Sequence, residues 1–210
     1  MNWFSELLAT RIALVGLSLG LFVWPPAEAA ADQQVIPDAV RQLAQEDPED
    51  PASETQKLLD ALAQAEDVGT AQNIEHALLQ AWTRSGSDTV DLLMSRAAES
   101  MERREFPVAL ELLTTVVEIK PDYAEGWNRR ATLYYLMDEY ALSVSDIRQT
   151  LSIEPRHFGA LSGLGLILQS TGRKKSALVA FEEALKVHPF LESASTAAEE
   201  LEPEVNGIPM

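Results

Sequence analysis

Between Asp122 and Leu191 the chain repeats itself at a spacing of 34 residues, and that spacing constrains the fold more than any other feature of the sequence. Trp127 pairs with Leu161, Ala131 with Gly165, Tyr134 with Leu168, Ser143 with Ala177, Ile147 with Phe181, and Pro155 with Pro189. Each unit carries a large, a small and a bulky residue, then a small and a bulky residue, then proline. A period of this length predicts two helices per unit, because a single helical hairpin cannot bury its apolar face and must stack on its neighbours.

The small positions have a physical purpose. Where two helices cross closely, a small side chain on one admits a large side chain from the other. Ala131 and Gly165 supply that space on the first helices, and Ser143 and Ala177 on the second. On this register Gly165→Leu should overpack the crossing, whereas Gly165→Ala should be milder and could gain from helix propensity. Pro155 and Pro189 close the second helices, since proline removes a backbone donor and disfavours helical geometry before it.

Counting back 34 residues from Trp127 reaches Leu93, and the other slots fall on Ala97, Ser100, Ala109, Leu113 and Pro121. A weaker unit therefore spans residues 88–121, ahead of two clear units at 122–155 and 156–189. Pro107 suits the first turn of a helix. Asp122 and Glu125 have the spacing of a capping box. Upstream, residues 53–87 read as a degenerate hairpin capping the stack, with Leu58, Leu59 and Leu62 on one helix and Ile74, Leu78, Ala81 and Trp82 on the next. Downstream, residues 190–202 read as a C-terminal capping helix, with Leu191, Ala194, Ala198 and Leu201 inward and glutamates outward. Residues 203–210 read as a disordered tail.

The N-terminus obeys a different logic. Arg11 precedes an apolar run from Ile12 to Val23, Pro25 and Pro26 break it, and alanines follow at residues 27 and 29–31. This pattern predicts a secretory signal peptide over residues 1–31. As a helix the run would be about 18 Å long, short of a bilayer core of roughly 30 Å. The alternative is an uncleaved N-terminal membrane anchor. Residues 32–52 form a polar linker with a candidate short helix between Pro37 and Glu46. The expected location is periplasmic or secreted, with no membrane contact after cleavage.

These residues resemble the tetratricopeptide repeat family, over residues 88–189 closely and over residues 53–87 loosely. The stretch from Trp127 to Leu161 also resembles secreted repeat proteins of proteobacteria. The resemblance implies an all-α fold, an α-solenoid of antiparallel helix pairs wound as a right-handed superhelix, with a concave groove lined by first helices. It also implies binding of a peptide or protein partner in that groove, and no chemistry.

On that reading the non-core residues of the first helices face the groove: Asn128, Arg129, Thr132 and Tyr135 in one unit, Ser162, Leu166 and Gln169 in the next. Because Asn128 and Arg129 lie outside the core pattern, changing both should leave the melting temperature nearly unchanged. A locally positive groove would admit a peptide bearing one carboxylate. The carboxylate clamp of chaperone-binding repeats needs several cationic residues on successive first helices, and here only Asn128 and Arg129 could serve. The leucine slot before the small residue holds Arg96 and Arg130. Each either packs its stem and pairs its head, Asp146 being a partner for Arg130, or recognises an acidic ligand.

Composition narrows the function classes. Thirty-three acids against 16 Lys and Arg give a net charge of −17, a field that repels nucleic acid and anionic membrane surfaces. With no cysteine there is no disulfide framework, and no metal site or cofactor is expected from His76, His157 and His188, which fall in separate units. His157 and His188 are expected at the carbonyl-rich ends of second helices. Adjacent acids such as Glu182 and Glu183 are solvated helix faces. A non-enzymatic scaffold that binds a partner protein is the first expectation. A structural protein that self-associates or docks in an envelope complex is the second. The mature protein is expected to begin between Ala30 and Asp32. N-terminal sequencing of the native protein checks this, and a start at Met1 in the membrane fraction would refute it.

Overall fold

The computed structural model describes residues 51–207, with side chains from Glu54 onward. The expected signal peptide, the helix between Pro37 and Glu46, and the end of the tail at residues 208–210 lie outside the described residues. Within them the chain is helical, with α1 Pro51–Ala63, α2 Val68–Thr83, α3 Asp88–Glu102, α4 Phe106–Ile119, α5 Ala124–Leu136, α6 Tyr140–Ile153, α7 Phe158–Ser170, α8 Lys174–Val187 and α9 Glu192–Asn206. The pairs α3/α4, α5/α6 and α7/α8 are the three repeating units, stacked as an α-solenoid. The candidate disordered tail is in part helical, because α9 runs through Pro203 and stops only at Gly207, in the left-handed conformation.

Stacking depends on one face of each first helix. In α5 it consists of Tyr123, Gly126, Arg130 and Leu133. In α7 the same register gives His157, Ala160, Leu164 and Ile167, and in α9 it gives Leu191, Ala194, Ala198 and Leu201. Leu133, Ile167 and Leu201 are buried against the preceding unit. Gly126 is held to glycine by contact, since a Cβ there would lie 2.8 Å from Val116 Cγ1. So α9 is the first helix of a further unit, using the same slots, and its outer face carries the glutamates.

In α3 that face reads Thr89, Leu92, Arg96 and Glu99, and all four are exposed. Glu99 forms a surface ion pair with Arg103, N···O 3.7 Å, where Leu133 and Ile167 are buried in the other units. The first end of the array is therefore solvated by its own sequence.

This explains where the α1/α2 hairpin goes. It does not seal the outer face of α3 as the sequence had suggested. It packs instead across the edge formed by the turns between units, against α5, α7 and α8. Leu59, Leu62, Leu78 and Trp82 share an apolar cluster with Phe158 and Val187, with Phe190 and Leu191 beside it. Polar ties follow the same line. The Tyr123 hydroxyl donates to the Thr83 carbonyl (3.1 Å), Gln56 donates to Glu154 (3.2 Å), and Arg156 pairs with Asp60 (2.5 Å). Tyr123, His157 and Leu191 are one slot in three successive turns, so the hairpin is a strap across all three. Its internal turn spans residues 64–67. Asp67 is the N-cap of α2, accepting from the Thr70 amide at 2.9 Å, and Gly69 lies inside the first helical turn.

Two glycines of α7 test the packing directly. A Cβ on Gly165 would sit 2.5 Å from Phe181 Cε1, whereas one on Gly163 would meet nothing nearer than Ile147 Cδ1 at 3.9 Å. The expectation that Gly165→Ala could gain stability is corrected, because the Phe181 ring fills the space even of a methyl group. In thermal denaturation Gly165→Ala should cost about 1–3 kcal/mol. Gly163→Ala should be neutral or gain up to about 1 kcal/mol in helix propensity. Equal melting curves for the two would mean that the α7/α8 register is wrong.

Candidate partner-binding cleft and its anchoring network

First helices α5 and α7 diverge enough to leave a cleft of about 390 Å³, bounded at one end by the start of α9. Its walls are Asn128, Thr132, Tyr135 and Leu136 from α5 and Gly159, Ser162, Gly163 and Leu166 from α7. Leu191 and Ser193 close it, and Ala131, Ser143, Ile147, Phe158, Ala160 and Ile167 form the floor. Five of the seven groove residues expected from sequence, Asn128, Thr132, Tyr135, Ser162 and Leu166, meet here. Arg129 and Gln169 are not among the lining residues. Helical spacing explains the convergence: Asn128, Thr132 and Tyr135 follow each other at four and three residues, and so share one face of α5.

Arg129 has a different task. Its Nη2 donates to Glu125 Oε1 at 2.8 Å, and Asn128 Nδ2 donates to Glu125 Oε2 at 2.9 Å. His157, only 2% exposed, brings Nε2 to within 3.2 Å of the same Oε2. Its Nδ1 accepts from the Ala160 amide at 3.2 Å, which caps α7 and places the ring proton on Nε2, pointing at the carboxylate. Trp82 of the strap stacks on the imidazole, centroids 4.2 Å apart and planes 11° from parallel. Glu125 is thus a buried hub joining the strap, the turn before α7 and a wall of the cleft.

Three sequence expectations are corrected at this hub. Asp122 and Glu125 do not form a capping box: the N-cap of α5 is Tyr123 and makes no side-chain cap bond, while Glu125 turns inward to meet His157. His157 serves a helix N-terminus rather than a carbonyl end. His188 alone of the pair sits at the end of a second helix, 3.4 Å from Glu75 of the strap and edge-on to Phe158. Finally, Asn128 and Arg129 are not energetically idle. Replacing Arg129 by Glu would set a second carboxylate against a buried one, so the melting temperature must fall.

Arg130 settles into the first of its two readings. It forms a two-pronged pair with Asp146, Nε–Oδ2 2.7 Å and Nη2–Oδ1 3.0 Å, and its guanidinium lies over Trp127 at 4.9 Å from the ring centre. The Asp146 hydrogen bond raises its pKa above the usual arginine value. Arg96, in the same slot, is exposed because α3 has no preceding unit to pack on. Nothing in the periodicity signalled Glu125 or Trp82. The signal that existed was the position of His157 in the slot filled by Tyr123 and Leu191, a polar ring where the pattern is otherwise bulky.

Burial pushes the Glu125 carboxyl up, but hydrogen bonds from His157 and Asn128 and the charge of Arg129 outweigh it, and the pKa is held below the ordinary glutamate value. A depressed carboxyl stabilises the fold fully above the unfolded value, about 4.3. That contribution is lost as the pH falls through the folded value. Acid melts from pH 7 to 3 should therefore show a fall in stability below roughly pH 4.3 that is smaller in Glu125→Gln. At neutral pH Trp82→Ala should cost about 3–5 kcal/mol by emptying the strap's main contact. A Trp82→Ala protein as stable as wild type would mean that the strap is not docked in solution.

Among the described residues no group of His, Asp and Glu could hold a metal ion, and no helix is long and apolar enough to cross a membrane. No family model matches the chain. A TPR repeat-containing protein of Rhizobium etli is 38% identical over 184 residues, covering 88% of each chain. Among solved structures, the first TPR of Spaghetti (RPAP3) bound to HSP90 peptide SRMEEVD aligns with a TM-score of 0.55 at 16% identity. That alignment covers 57% of this chain and 95% of that one. MamA aligns with a TM-score of 0.53 at 18% identity, over 69% and 87%. At these identities the two structures carry the fold alone.

Proposed function

The chain belongs to the tetratricopeptide repeat proteins, and from that premise we propose that it is a non-enzymatic scaffold of the cell envelope that holds a peptide or partner protein in the cleft between α5 and α7. The observation that carries this reading is the cleft itself. It is the meeting place of five residues that the repeat register puts on one side of the array. Its floor is apolar apart from Ser143, and its rim carries two leucines, Leu136 and Leu166, that are exposed among the described residues. Unpaired apolar surface of this kind favours burial by a partner. Support for protein ligands also comes from relatives of the fold, such as the RPAP3 repeat domain that was solved with a bound peptide. Placement in the envelope rests on the apolar run from Ile12 to Val23 and the alanines that follow it.

The second reading, assembly through the outside of the array, has its own observation. Val108 and Leu142 occupy the same slot of successive second helices, and both are about half exposed. Crosslinking of the native protein in its own compartment, followed by mass spectrometry, separates the two. Leu166→Glu should abolish the main crosslinked partner at unchanged expression and melting temperature, and Leu142→Glu should leave it intact. The reverse pattern would move the function to the outer face.

A further inference from the structure

The sequence of α7 contains two glycines that the array does not need. Gly165 is dictated by Phe181, but Gly159 and Gly163, one helical turn apart, face open space: a Cβ on Gly159 would touch only the ring of His157 at 3.4 Å, and one on Gly163 only Ile147 at 3.9 Å. Glycine inside a helix is costly beside alanine, and its common justification is the close approach of another chain. Both glycines line the cleft.

An independent observation comes from Ser162, between them. It is 7% exposed, lines the same cleft, and its hydroxyl has no hydrogen-bond partner among the described residues. A hydroxyl so placed is left for a ligand to satisfy. The cleft also has a definite electrostatic character. Its lining includes no Asp, Glu, Lys, Arg or His. Of the two helices that wall it, α7 has no cation and the two of α5 are spent, Arg129 on Glu125 and Arg130 on Asp146. The sequence as a whole carries −17.

Resting on the partner-binding reading above, we propose that the occupant is an uncharged aliphatic segment of a partner protein, flanked by Lys or Arg, whose backbone approaches α7 at Gly159 and Gly163 and hydrogen-bonds to Ser162. A carboxylate would meet no free cation there and would lie close to the Glu125 charge, so the segment bearing a single carboxylate that sequence alone had suggested is replaced. Basic flanks complement the acidic surface and speed encounter.

A phage-displayed dodecapeptide library panned on the full chain tests this. Recovered peptides, measured by fluorescence anisotropy, should be rich in Leu, Ile, Val and Phe, contain Lys or Arg, and lack Asp and Glu. Gly163→Leu should weaken them at least tenfold, about 1.4 kcal/mol, with its melting temperature retained. Leu166→Glu is the second variant should Gly163→Leu fail to fold. Peptides that depend on these two positions but are acidic, or require a free C-terminal carboxylate, would overturn the chemistry and leave the scaffold intact. Peptides insensitive to both variants, or no peptides at all, would overturn the cleft as a binding site and the scaffold reading with it.

Discussion

Close approach of successive first helices governs the array, and it is set by one small side chain. Gly126, Ala160 and Ala194 stand at the same step of α5, α7 and α9, and each lets a helix settle onto the unit before it. Two turns further along, Leu133, Ile167 and Leu201 fill the gap so created. Where the small residue is replaced by Leu92 and the filler by Glu99, stacking stops. Termination is therefore written into α3 by two residues and needs no separate cap.

That logic explains what was legible. The 34-residue register is a statement about packing, so it located α3 to α8, the buried Ile147 and Phe181, and the side of α5 and α7 that lines the cleft. It was silent on the strap, since α1 and α2 lack the register and can be placed only by their contacts. It was misleading at Glu125. A glutamate three residues into a unit looks like a solvated helix start, and only the tertiary approach of His157 and Trp82 turns it inward. It also misjudged Arg129, whose long side chain reaches back to Glu125 and stays out of the cleft lining.

Polar groups at the seam do something the apolar cluster cannot. Leucines would let the strap slide along an oily edge. The Glu125 carboxylate accepts from three donors, two fixed by α5 itself and one by the turn before α7, and the stacked Trp82 ring is orientated by the imidazole it covers. The burial of these groups is offset by mutual hydrogen bonding, and the return is a single docking geometry. Phe158 makes that geometry matter for the cleft, being at once part of its floor and a neighbour of Trp82 at 5.3 Å.

Repeat arrays grow and shrink over evolutionary time by gain or loss of whole units, because each unit touches only its neighbours. This one is not free to do so. The strap helix α2 has 16 residues and is about 24 Å long, and with α1 it meets Tyr123, His157 and Leu191 on three consecutive turns. A unit duplicated between any two of those anchors would carry the third out of reach. The strap thus acts as a ruler, and a lineage that keeps it has fixed the number of repeats between Tyr123 and Leu191.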